Sequence, residues 1–119
     1  MILVDTSVWV EHLRRRDTLL AARLEAGDVM CHPYVIGEIG LGSLRRRADV
    51  LELLASLPSA PVVGHDDVML FVEQRGLSGR GIGWIDVHLA ASAVVSGAKL
   101  WTTDRRLADV ARSLRLAPE

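Results

Sequence analysis

Apolar positions along this chain fall into short unbroken runs separated by stretches of helical spacing. Ile2-Leu3-Val4 is the first run. An unbroken apolar run suits a strand buried on both faces, as in parallel sheets. Similar runs predict strands at residues 29–31, 62–63 and 100–103, with a short edge strand near Leu116. Between the runs, the spacing predicts helices. One covers 8–14, and a second runs from the Asp17-Thr18 cap to a stop at Gly27. A third starts at Pro33, suited to a first turn, and reaches about Leu44. A fourth places Val50, Leu51, Leu53, Leu54 and Leu57 on one face and ends at Pro58. Asp66-Asp67 caps a helix through Arg75, residues 84–96 form one rich in small side chains, and Asp104 opens the last, to about Leu114. Four glycines between 76 and 83 mark a flexible loop. Strands alternating with helices predict an α/β fold with a central four- or five-stranded parallel sheet between helical layers. No repeat, low-complexity tract or linker interrupts 1–119, so a single domain is expected.

Composition narrows the class. Half of the 119 residues are apolar and 24% are charged, which excludes a disordered chain and provides for one core. No apolar run approaches the roughly 18 residues of a spanning helix, and MILVD has no basic leader, so a cytoplasmic protein with no membrane contact is expected. Cys31 stands alone, so no intrachain disulfide forms and a reducing compartment fits. The formal charge is -1, which argues against a nucleic-acid coat protein. Setting four of the 15 acids aside in one pocket would leave 11 against 14 bases, a balance of +3.

Four acids change the picture. In a parallel α/β sheet, ligands bind beyond the carboxyl ends of the strands. Asp5 and Asp104 follow predicted strands directly, Glu38 lies in the second turn of the helix leaving strand two, and Asp86 lies in the first turn of a helix that starts from the same edge. Asp86 heads an apolar stripe of Leu89, Ala90 and Ala93, and Glu38 sits among Tyr34, Val35 and Leu41. Carboxylates on core-facing stripes are costly unless paired or metal-bound. Two charges about 4 Å apart repel by roughly 4 kcal/mol at an effective dielectric near 20. Oxygen donors with few His or Cys nearby point to Mg²⁺, or Mn²⁺ in its place, rather than Zn²⁺. Taken singly, Asp5, Asp86 and Asp104 equally suit helix caps.

The ordered set Asp5-Thr6-Ser7 with Trp9, Glu38, Trp84-Ile85-Asp86 before Leu89-Ala90-Ala91, and Thr102-Thr103-Asp104 before Arg105-Arg106-Leu107 resembles the PIN-domain ribonucleases. Within them it is similar to the VapC-type toxins of VapBC toxin–antitoxin systems, over essentially the whole chain. The resemblance implies a three-layer α/β/α sandwich and Mg²⁺- or Mn²⁺-dependent endonucleolytic cleavage of RNA. It makes Asp5, Glu38, Asp86 and Asp104 the catalytic quartet, with Asp5, Asp86 and Asp104 on the metal. Thr6 or Ser7, together with Thr102, are then hydroxyls that order the acids or the metal's water. It also implies a cognate VapB-type antitoxin covering the site, and a toxin homodimer or toxin–antitoxin hetero-oligomer.

Other features carry less. The glycines at 76, 79, 81 and 83 lack phosphate-loop spacing, but Arg80 among them is placed to meet RNA phosphate. His12, His32, His65 and His88 show no metal-ligand spacing and read as structural, Trp9, Trp84 and Trp101 read as core or interface, and five aromatics are few for a base-stacking platform. Two rival functions share the pattern. A receiver-type phospho-acceptor domain would use Asp66 after strand three and a lysine after the last strand. A catalytically inactive PIN-like binding module would keep the fold without the chemistry.

Overall fold

The computed structural model describes residues 1–118. Three parallel strands form the sheet: β1 (Ile2–Val4) in the centre, β2 (Val29–Met30) on one side and β3 (Lys99–Trp101) on the other. Ile2 stands opposite Val29 and Lys99, and Val4 opposite Trp101. Parallel neighbours need crossover connections. Two helices, α1 (Thr6–Arg14) and α2 (Thr18–Glu25), make the first. The second contains α3 (Pro33–Leu41), α4 (Arg47–Ser56), α5 (His65–Arg75) and α6 (Trp84–Ser96), and α7 (Arg105–Ser113) closes the chain. The architecture is the three-layer α/β/α class. Among the described residues, no helix is long and apolar enough to cross a membrane.

The sheet has three strands, not four or five. Val62-Val63 forms none, and Val62 is half exposed. Pro58 and Pro61 remove the N–H groups that a ladder needs there. What survives is one parallel bridge, Cys31 to Ser59, with Cys31 N donating to Pro58 O (2.9 Å) and Ala60 N to Cys31 O (2.9 Å). The tail near Leu116 likewise forms no strand; it accepts one bond from Leu100 N at 2.8 Å. Helix α3 stops at Leu41, short of Leu44, because Gly42 turns extended. Gly64, not Asp66-Asp67, is the N-cap of α5, and the two acids fill its first turn, where they complement the helix dipole.

Ile2, Leu3 and Val4 are all buried, at the centre of the core with Trp9, Leu20, Val35, Leu89, Leu100 and Leu107. Helix α6 is buried from Val87 through Ala93, and its small side chains let neighbours approach closely on all sides. A satellite cluster of Val68, Val87 and Ala91, with Ile82 against it, fixes α5 on α6 and anchors the glycine-rich loop beside the start of α6.

Candidate active site

The register of β1 and β3 builds the centre. Val4 pairs with Trp101, and Asp5 N donates to Trp101 O at 2.9 Å, so Asp5 emerges beside Thr102 at the carboxyl edge. Asp5 is 5% exposed and caps α1. Its Oδ2 accepts from Ser7 Oγ (2.7 Å), Thr102 Oγ1 (2.8 Å) and Ser7 N (3.4 Å). Each hydroxyl oxygen in turn accepts a backbone N–H: Ser7 Oγ from Thr103 N and Thr102 Oγ1 from Asp104 N, both at 3.0 Å. All three bonds to the carboxylate end on Oδ2, leaving Oδ1 without one among the described residues.

The other acids surround this centre. Asp104 caps α7, its Oδ1 accepting from Leu107 N at 2.9 Å. Glu38 accepts from Thr6 Oγ1 at 2.8 Å, so the two candidate hydroxyls of α1 divide their work: Thr6 orders Glu38, and Ser7 orders Asp5. Both Glu38 and Asp104 are exposed. The expected core-facing position of Glu38 is therefore wrong; the buried stripe of α3 is Val35 and Ile39, and Glu38 lies about 100° round the helix from Ile39. Asp86 is half-buried in the first turn of α6, below the Leu89–Ala90–Ala93 stripe.

The acids act on one another. Burial, then the charges of Asp5, Asp104 and Glu38, push the Asp86 carboxyl up to about 6, with the Gly83 backbone opposing the rise. Among the described residues, five ion pairs form, and none includes any of the four acids. No three acidic, His or Cys side chains among the described residues stand close enough together to hold a metal ion. The quartet is an open, all-oxygen cluster of uncompensated negative charge with a free oxygen on Asp5. In charge and donor type that fits a hard divalent cation. A hollow of about 400 Å³ lined by Leu19, Ala22 and Trp101 lies apart from the acids. Of the four acids, Glu38 and Asp104 are exposed, Asp86 is half-buried and Asp5 is buried.

The remaining predicted contact, Arg80, is exposed in the glycine-rich loop. One feature escaped the sequence reading. His32, Tyr34, His88, Trp84 and His65 form a continuous chain of ring contacts, with successive centroids 4.8, 5.1, 4.9 and 5.3 Å apart. Trp84 is 42% exposed, so it is not core, whereas Trp9 is buried. The available signal is the i,i+4 spacing of Trp84 with His88 on one helix. His32 caps α3 through Nδ1, which accepts from Tyr34 N at 2.9 Å. His32 Nε2 and His88 Nδ1 are buried without partners among the described residues. Burial, then the neighbouring His88, brings the His32 imidazole down to about 4.

The PIN domain family matches residues 2–113. Ribonuclease VapC32 of Mycobacterium tuberculosis, from strains CDC 1551 / Oshkosh and H37Rv alike, is 54% identical over 108 residues, covering 90% of this chain and 87% of that protein. The chain is a VapC-type PIN-domain protein. The fold agrees: the crystal structure of PAE2754 from Pyrobaculum aerophilum superposes with a TM-score of 0.64 over 97% of this chain and 93% of that one, at 23% identity. The parallel sheet and α/β/α layering of the PIN fold thus hold here with a sheet of three strands. Ribonucleases of this family depend on divalent metal, in keeping with the cluster of unpaired acids.

Proposed function

We propose that this PIN-domain protein, a single domain over residues 1–119, is a metal-dependent endoribonuclease and the toxin of a type II toxin–antitoxin system. The observation that carries the reading is the set of four acids at the carboxyl edge of the sheet, with Asp5 held by Ser7 and Thr102, Glu38 by Thr6, and no ion pair to any of the four among the described residues. Asp5, Asp86 and Asp104 would hold Mg²⁺ or Mn²⁺, which when bound supplies an activated water and offsets the charge added to the scissile phosphate. Ser7 and Thr102 fix Asp5 by donating to its Oδ2. Thr6 fixes Glu38, which would orient the attacking water by accepting a hydrogen bond from it. Arg80 contacts a flanking phosphate. The partner is a VapB-type antitoxin in the cytoplasm, in an assembly built on a toxin homodimer or a toxin–antitoxin hetero-oligomer.

Purified protein should cut single-stranded RNA with Mg²⁺ or Mn²⁺, and Asp5→Asn should lose cleavage while keeping its fold. Full cleavage in excess EDTA would defeat the metal mechanism. The receiver-type alternative finds no support: Asp66 follows no strand, and Lys99 opens β3 with its Nζ on Arg115 O at 3.1 Å, at the far end of that strand from the acids. The inactive-module reading has to leave four unneutralised acids without a purpose.

A further inference from the structure

Of five aromatics and four histidines in the chain, Tyr34, Trp84, His32, His65 and His88 form one contiguous group. That group shares two elements with the acid quartet. On α3, Tyr34 stands one turn before Glu38. On α6, Trp84 stands at the first position, in the same first turn as Asp86 but about 200° round the helix from it. The Trp84 ring is held rather than loose. His88, one turn along the same helix and 4% exposed, meets it edge-on at 88°, and His65 at the start of α5 leans on it at 53°. His88 is itself braced by Tyr34, at 5.1 Å and 69°. Yet 42% of Trp84 remains open to solvent. A buried brace behind a large exposed ring presents a fixed aromatic surface.

Its neighbours along the chain narrow its ligand. Arg80, exposed in the loop, lies four residues before Trp84. A cation and an aromatic ring within one five-residue segment match the alternating phosphates and bases of a single strand. Resting on the ribonuclease reading, we infer that Trp84 is a base-stacking residue, holding one nucleobase next to the scissile phosphate, with His88 and Tyr34 as the residues that position its ring. Stacking on a π-face tolerates any base, and a broad indole favours a purine over a pyrimidine. The site therefore reads the presence and size of a base through its flat face rather than through its hydrogen-bonding edge.

The test uses a 12-nucleotide single-stranded oligoribonucleotide containing a bond that the wild-type protein cuts, and copies with one abasic ribose at each nucleotide flanking that bond. Single-turnover cleavage in Mg²⁺ gives an apparent Kd and a maximal rate for wild type, Trp84→Ala and Trp84→Phe. Trp84→Ala should weaken apparent binding of the intact strand by about 5- to 100-fold, with a smaller change in maximal rate, and Trp84→Phe should restore most of it. One abasic strand should bind wild type and Trp84→Ala equally, because the base that the ring holds is already missing. Equal loss on every abasic strand, or no loss on the intact one, overturns the assignment while leaving the nuclease intact. A wild-type protein that cuts no RNA in Mg²⁺ or Mn²⁺ overturns both readings together.

Discussion

Replacing Asp86 by Asn should stabilise the metal-free protein. Asp86 sits half-buried among three other carboxylates, and its own carboxyl is lifted from 3.8 to about 6. A displacement of that size corresponds to about 3 kcal/mol against the folded state at neutral pH. Solvent reaches part of the group, so screening reduces the figure to about 1–2 kcal/mol. For a chain of this length, that raises the melting temperature by about 3–10 °C. The sign follows from the direction of the lift. A carboxyl that binds its proton more tightly when folded opposes folding fully above pH 6, and the penalty fades as pH falls towards 3.8. Thermal unfolding in EDTA should therefore show Asp86→Asn melting above wild type at pH 7.5, with roughly half that gain at pH 5. Adding Mg²⁺ or Mn²⁺ should raise the wild type more than the variant, because the ion replaces the proton at the site. A variant that melts below wild type at pH 7.5 in EDTA, or a gain that grows at pH 5, refutes the charge-cluster reasoning.

Thr102→Val keeps the side-chain volume but removes the hydroxyl that donates to Asp5 Oδ2 and accepts from Asp104 N. It should cost about 1–3 kcal/mol in denaturant unfolding and reduce cleavage; unchanged values in both would contradict the network. His32 is held neutral by burial, down to about 4. Its contribution is complete above pH 6.5 and is lost as pH falls from there towards 4, opposite in sign to Asp86. Stability followed by denaturant titration should fall more steeply with acid in Asp86→Asn than in wild type. His32→Asn, which keeps a cap acceptor, should flatten the profile. Gly79 and Gly81 both hold φ near +76°, but a Cβ at Gly79 meets open space whereas one at Gly81 lies 2.8 Å from Arg106 Nη1. Gly79→Ala should cost about 1–2 kcal/mol from the backbone alone. Gly81→Ala should cost that and release Arg106 from the loop, read as a larger loss in the same unfolding assay.

Much of this frame was legible because its signals are local. The Ile2-Leu3-Val4 run is a strand buried throughout, and Gly83 and Gly97 bound α6 where the spacing predicted. Asp5, Asp17 and Asp104 cap their helices through their own side chains, as single-residue chemistry suggests. The misses came where neighbours distant in the chain decide. Val62-Val63 reads apolar, but Pro58 and Pro61 spoil its ladder and leave the single rung at Ser59. Leu41 reads as core yet is 91% exposed, and Glu38 shares the outward side of α3, since apolar character on both flanks gave no angular reference. The convergence of the acids followed from connectivity, but the division of Thr6 to Glu38 and Ser7 to Asp5 depends on how α1 faces α3. In the ring chain from His32 to His65 only the Trp84–His88 step has helical spacing; the joining contact, Tyr34 with His88, spans 54 positions, so no periodicity announces the whole.

The bond from Thr102 to Asp5 spans 97 positions and ties the end of β1 to the end of β3. Translation delivers Asp5 long before its partner. Until Lys99–Trp101 has been made, the central strand lacks its second neighbour, and Asp5 has neither the β3 backbone nor the Thr102 hydroxyl to hold it. A chain made only as far as α6 therefore lacks the frame that holds Asp5, and the acid edge takes shape only after β3 has been made.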